Sequence, residues 1–155
     1  MRVAVITISD RASSGVYEDL CGPEIERLIR EHYPHCELKR DMVADEKSEI
    51  ESVLKKYWGV DYIITTGGTG ISPRDVTPEV TKEFCDRSLP GIAETLRRES
   101  YKETPFAVFS RGYAGIKGNT IVVNFPGSLK AVRLCTGILA PVMEHGIKMI
   151  RGEHH

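Results

Sequence analysis

Val3, Ala4, Val5, Ile6, Thr7 and Ile8 follow one another between Arg2 and Ser9, with apolar residues on both faces and no regular polar alternation. A strand that is apolar on both faces is covered on both, as in the middle of a parallel sheet. The spacing then turns helical. Cys21, Ile25, Leu28, Ile29 and His32 share one face, and Pro34 closes that helix. Residues 37–43 predict a second strand. Asp45 then opens a helix with Ile50, Val53, Leu54, Tyr57 and Trp58 on one stripe, ended by Gly59. Residues 62–66 predict a third strand. Thr77 suits an N-cap, Pro78 the first helical turn, and Glu79 the positive helix end. Two short helices are expected, over 78–85 and 91–100, split by Ser88, Leu89 and Pro90.

Further along, 107–110 and 120–125 predict strands, with Lys117-Gly118 able to turn a hairpin. Phe125-Pro126-Gly127-Ser128 follows, then a helical face of Leu129, Val132, Cys135 and Leu139. Pro141 interrupts it, and a last helix runs toward Gly152. Strands that alternate with helices imply a three-layer α/β/α sandwich. Its sheet is expected to be mostly parallel with an antiparallel hairpin strand, in one domain over 1–155.

The 155 residues are enough for one self-sufficient core. A net charge of −1 gives no basic field for nucleic acid. The first apolar run meets Asp10 and Arg11 too early for a signal peptide or spanning helix, so no membrane association and a cytoplasmic location are expected. Cys21, Cys36, Cys85 and Cys135 form no C-x-x-C pair and read as free thiols. His32, His35, His145, His154 and His155 show no metal-site spacing, and the terminal pair is given no function.

The candidate chemistry lies where the third strand stops, at Thr65-Thr66-Gly67-Gly68-Thr69-Gly70-Ile71-Ser72-Pro73-Arg74-Asp75-Val76-Thr77-Pro78-Glu79. Three glycines within four residues let backbone N–H groups approach an anion. The spacing is neither a P-loop nor a dinucleotide fingerprint. Asp75 stands two residues before the expected cap, so capping does not explain it. A magnesium ion shared with phosphates would, and a surface pair with Arg74 is the plain alternative.

This stretch resembles the signature of the molybdenum-cofactor biosynthesis family that adenylylates molybdopterin. The resemblance runs from Val3 to about Ile150. It implies a nucleotidyltransferase: AMP passes from Mg-ATP to the terminal phosphate of molybdopterin, and pyrophosphate leaves. Asp45 and Asp75 match the family's catalytic aspartates and would align magnesium and phosphates, although Asp45 also reads as an ordinary N-cap. Ser9, Asp10, Arg11, Ser13 and Gly15 match a first loop suited to ligand contact. Gly67, Gly68, Thr69 and Gly70 would cradle phosphate, with Thr66 and Arg74 beside them as substrate- or nucleotide-binding residues.

Ser110, Arg111 and Gly115 match a third element, where Ser110 and Arg111 would meet the pterin or its phosphate. Pro126, Gly127 and Ser128 match the second glycine turn, with Lys130 either a phosphate contact or a solvated lysine. Two positions depart from relatives: Gly112 stands where some carry a second serine, and Leu129 where a proline is frequent. The resemblance also implies a homotrimer, and a metal-inserting enzyme is a candidate partner. A non-catalytic or tungsten-serving relative, which binds the pterin and hands it on, is the alternative.

Overall fold

The computed structural model describes residues 1–153, so His154 and His155 lie outside the described part. Among the described residues six strands form one sheet: β1 (Arg2–Ile8), β2 (Glu37–Val43), β3 (Tyr62–Thr66), β4 (Arg87–Ser88), β5 (Ala114–Lys117) and β6 (Thr120–Phe125). Their order is β2-β1-β3-β6-β5-β4. The first four in that order are parallel, and β5 and β4 pair antiparallel.

Helices cover the two faces: α1 (Asp10–Ser13), α2 (Cys21–His32), α3 (Lys47–Tyr57), α4 (Thr77–Phe84), α5 (Pro90–Glu103), α6 (Leu129–Leu139) and α7 (Met143–Ile150). The expected three-layer sandwich is therefore observed.

The unbroken apolar run of β1 has a period-two explanation. Val3 and Val5 join a core with Ile25 and Ile29 of α2, Val132 of α6 and Met143 of α7. Ala4, Ile6 and Ile8 join the opposite core with Ile50, Val53 and Leu54 of α3 and Val80 of α4. Each fully buried branched side chain contributes about 1.5–3 kcal/mol. Four details differ from the sequence expectation.

The loop after β1 winds into α1, because the Ser9 hydroxyl accepts the Ala12 N–H at 3.1 Å. The N-cap of α3 is Glu46 and not Asp45, and that of α4 is Val76 and not Thr77. Residues 105–109 form a 3-10 turn instead of a strand, started by Pro105 and capped by Thr104. Phe106, Val108 and Phe109 there are all exposed, so no face alternates into the core. The hairpin partner of β6 is β5, joined through Gly118 at φ +60°, and β4 occupies the edge beyond it.

Candidate functional site

Thr7 pairs with Thr66, and Thr66 with Phe125, so β1, β3 and β6 stop at one level. Their outgoing loops begin at Ser9, Gly67 and Pro126 and meet above the sheet. The chain leaves β1 toward β2 on one side and returns through β3 on the other. Such a reversal opens a crevice at the carboxyl ends of parallel strands.

The two glycine turns touch. Gly67 has φ +104° and donates its N–H to Phe125 O at 3.1 Å. A Cβ on Gly67 would lie 2.2 Å from Ile8 O, and one on Gly127 would lie 3.2 Å from Gly67 Cα. At Gly67 only glycine allows this approach, and at Gly127 a side chain would press on the neighbouring backbone. Thr66 Oγ1 donates to Pro126 O at 2.7 Å, and Thr77 Oγ1 donates to Gly67 O at 3.1 Å. Thr77 thus braces the glycine loop instead of capping α4. Beneath it, the buried Asn124 amide donates to Thr65 and Thr81 hydroxyls and accepts the Tyr113 N–H. This network ties β6 to β3, α4 and the residue ahead of β5, with both polar atoms of the Asn124 side chain satisfied.

The resulting ridge separates two cavities. The larger, of about 400 Å³, lies between the glycine loop, α5 and residues 104–112. Gly68, Thr69, Gly70, Asp75 and Ser110 line it, with Pro126, Gly127 and Ser128 on the second turn. The smaller, of about 220 Å³, is lined by Ser9, Asp45, Thr66, Gly67, Gly68 and Gly127. One expected catalytic aspartate therefore serves each cavity.

Asp45 Oδ2 accepts the Asp10 N–H at 2.9 Å. Its Oδ1 is buried and has no partner among the described residues. Burial raises the Asp45 pKa above the ordinary aspartate value, and the nearby Asp10 and Asp75 charges push the same way against the Asp10 N–H and Arg74. An orphaned, partly desolvated carboxylate oxygen beside a glycine calls for a cation. That donor set fits a magnesium ion shared between one or two carboxylates and phosphate oxygens. Among the described residues no three His, Cys, Asp or Glu side chains gather to hold a metal alone.

Asp75 is held by its own loop: Oδ2 accepts the Ser72 N–H at 3.0 Å.

The cations expected at phosphates are tied up inside the protein. Arg74 donates to both Asp10 oxygens, at 3.0 and 2.9 Å, and pairs with Glu46 at 2.8 Å. That bidentate contact holds the Asp10 carboxyl below its ordinary pKa. Arg111 donates to Gly70 O, Asp75 O and Glu79. Lys130 pairs with Glu103 at 3.4 Å. Asp10, Arg74 and Arg111 therefore line neither cavity and instead fasten the loops that do.

Arg11, Ser13 and Gly15 are exposed and line neither cavity, with Arg11 over the Tyr17 ring at 5.8 Å. Gly115 is buried in β5, where a Cβ would meet Arg87 O at 2.7 Å. Ser128 lines the larger cavity while its hydroxyl caps α6 through the Ala131 N–H.

Sequence reasoning missed Arg97 and Ser100 of α5, which line the larger cavity, and Tyr17, Asp19 and Cys21, which line the smaller. Asp19 accepts from Thr7 Oγ1 at 2.7 Å and from the Gly22 N–H at 3.0 Å. An aspartate just ahead of a helical stripe was the available signal for Asp19. Arg97 had none, because an arginine on a helix with alternating charges reads as a solvated face.

A mostly parallel sheet thus carries two glycine turns at one edge, with a cavity and an aspartate on either side of the ridge they form. The chain belongs to the family described as the probable molybdopterin binding domain, whose model matches residues 4–145. A molybdopterin adenylyltransferase from Helicobacter pylori is 39% identical over 99% of this chain and 90% of its own length. The molybdopterin biosynthesis Mog protein from Mycobacterium ulcerans superposes with a TM-score of 0.89 at 41% identity, over 96% of this chain and 98% of its own. The tungsten cofactor synthesizing protein MoaB from Pyrococcus furiosus gives a TM-score of 0.85 at 35% identity, over 97% and 96%.

Proposed function

We propose that this protein is a molybdopterin adenylyltransferase that transfers AMP from Mg-ATP to the terminal phosphate of molybdopterin. The observation that carries the reading is the ridge of Gly67, Gly68 and Gly127, with the Asp45 cavity on one side and the Asp75 cavity on the other. The pterin is assigned to the larger cavity, where Leu96, Phe106 and Phe109 offer apolar walls and Ser110 a polar group. The adenylate is assigned to the smaller one. Their phosphates would then meet over the ridge.

A phosphate oxygen of the pterin forms the new bond to the α-phosphorus of ATP. The bond from that phosphorus to the bridging oxygen breaks, and pyrophosphate leaves with the electron pair. The attacking phosphate is already anionic at neutral pH, so no strong general base is needed. What remains is positioning and charge neutralisation. The backbone N–H groups of the ridge orient phosphate without side chains intervening, while Arg74 and Arg111 keep the loop rigid. Asp45 and Asp75 would hold magnesium together with phosphate oxygens. Bound there, magnesium would offset the charge of the two phosphate groups.

Among the described residues no helix is long and apolar enough to cross a membrane. A cytoplasmic location remains part of the proposal, and four free cysteines suit a reducing compartment. A homotrimer and delivery to a metal-inserting enzyme are carried with it. The exposed Phe106, Val108 and Phe109 supply apolar surface that a second copy could cover. The likeness to the tungsten protein of Pyrococcus furiosus favours one second reading, in which the product serves tungsten.

The deciding measurement is pyrophosphate release from Mg-ATP with and without molybdopterin. Pterin-dependent release supports the transferase. Pterin binding without release would make the protein a carrier. Asp75→Ala is expected to abolish turnover and leave pterin binding largely intact, and unchanged turnover would remove Asp75 from metal and phosphate alignment.

A further inference from the structure

The larger cavity contains one unanswered positive charge. Arg97, half-buried on α5, is the only cationic side chain that lines either cavity among the described residues. Arg74, Arg111 and Lys130 each pair with a carboxylate. Arg97 does not: no described Asp or Glu lies within ion-pair distance of it. Its Nη1 donates to Ser110 O at 3.2 Å and to Gly112 O at 3.1 Å. The Nε and Nη2 N–H groups have no protein acceptor among the described residues.

Two carbonyls on one nitrogen fix the plane of the guanidinium but do not neutralise it. A partly desolvated cation without a counter-ion is costly, and a neutral ligand oxygen would leave the charge uncompensated. The free edge of the fork, with two parallel donors, matches a phosphate.

We infer that Arg97 binds the phosphate of the pterin substrate. Through Ser110 O and Gly112 O, it couples arrival of that phosphate to the loop that lines the cavity. This rests on the assignment of the pterin to the larger cavity. At this loop, where some relatives carry a second serine and this chain Gly112, the backbone at 110–112 holds the arginine and the arginine holds the ligand.

The test is equilibrium binding, without ATP, of molybdopterin and of the same pterin with its phosphate removed. Wild type, Arg97→Ala, Arg97→Gln and Arg97→Lys are compared, with circular dichroism to confirm folding. Wild type should prefer the phosphorylated ligand. Arg97→Ala should lose about 30-fold on that ligand, the scale of a charge-assisted bond, and less than about 3-fold on the dephosphorylated one.

Arg97→Gln, which keeps a donor without the charge, should behave like alanine. Arg97→Lys should recover part of the phosphate preference although it cannot brace both carbonyls in one plane. The KM for ATP in pyrophosphate release should not move.

Equal losses on the two ligands would reduce Arg97 to a loop brace and overturn the inference, as would a loss confined to the KM for ATP. If Arg97→Ala does not fold, the glutamine and lysine variants separate the same two outcomes. Wild-type binding with no pyrophosphate release would sink adenylyl transfer while leaving the Arg97 assignment standing.

Discussion

Asp10 and Asp45 each accept the other's backbone N–H. The Asp10 amide donates to Asp45 Oδ2 at 2.9 Å, and the Asp45 amide donates to Asp10 Oδ1 at 3.0 Å. The loops after β1 and β2 are locked by this exchange, although 35 residues separate the pair. The two carboxylates then diverge in fate. Asp10 is neutralised by Arg74, whereas Asp45 keeps a buried oxygen with no partner among the described residues.

That orphaned oxygen is a local cost to the ligand-free fold. Asp45→Asn should therefore leave the ligand-free protein at least as stable, with a Tm gain of about 2–4 °C if about 1 kcal/mol is recovered. Pterin-dependent pyrophosphate release should fall by at least about 100-fold. Thermal unfolding in chelator and a turnover assay check both halves. A clear drop in Tm would mean that the carboxylate is chiefly structural.

Gly67 and Gly70 should respond differently to alanine. Gly67 has φ +104° and would drive a Cβ to within 2.2 Å of Ile8 O, a backbone atom that cannot yield. Gly67→Ala should lower stability by more than about 2 kcal/mol or prevent folding. Gly70 has no positive φ, and its Cβ would meet only Asp75 Oδ2 at 2.9 Å. Gly70→Ala should fold with a near-normal Tm yet turn over slowly, because Asp75 must move. Urea unfolding beside kcat separates the two, and equal effects on both variants would contradict this difference.

Arg111 ties the Gly70 and Asp75 carbonyls to Glu79. In Arg111→Ala those ties are gone, and amide exchange across residues 67–76 should quicken by about tenfold, the equivalent of roughly 1.4 kcal/mol of local stability. Unchanged exchange there would show that Arg111 adds nothing to the ties made by Thr77, Arg74 and the Gly67 N–H.

A pH effect should appear far from the site. Glu24 joins α2 to α6, and its carboxyl is held down at about 2, from an ordinary 4.5, by Arg27 first and Arg133 next. The unfolded chain binds the proton more tightly, so it carries more protons between those values and stability rises with pH through the window. The contribution is fully present above the ordinary carboxylate range and disappears as pH falls toward 2. Solvent screening keeps it small. Glu24→Gln should lower the urea midpoint slightly at neutral pH, and the difference from wild type should shrink near pH 3. A difference that persists there would assign the effect to something other than ionisation.

The apolar run of β1, the helical stripes of α2 and α3 and the glycine-rich stretch after β3 were enough to specify the layered fold and the edge that carries the site. These are local patterns: period two, period 3.6, and a turn that only glycine permits. Nothing local foretells that Pro105 turns 105–109 into a 3-10 segment, since Val108 and Phe109 read as strand residues until β4 is seen to hold the adjacent edge.

Nor could spacing sort the arginines. Arg74 and Arg111 stand beside the glycine loop in sequence or motif, yet both are satisfied by carboxylates from other elements. Arg97 stands on an ordinary helix and keeps its charge open to the cavity. Local spacing determines which face a residue takes. Which charge meets which partner is decided by contacts between distant segments, and only the folded chain brings those together.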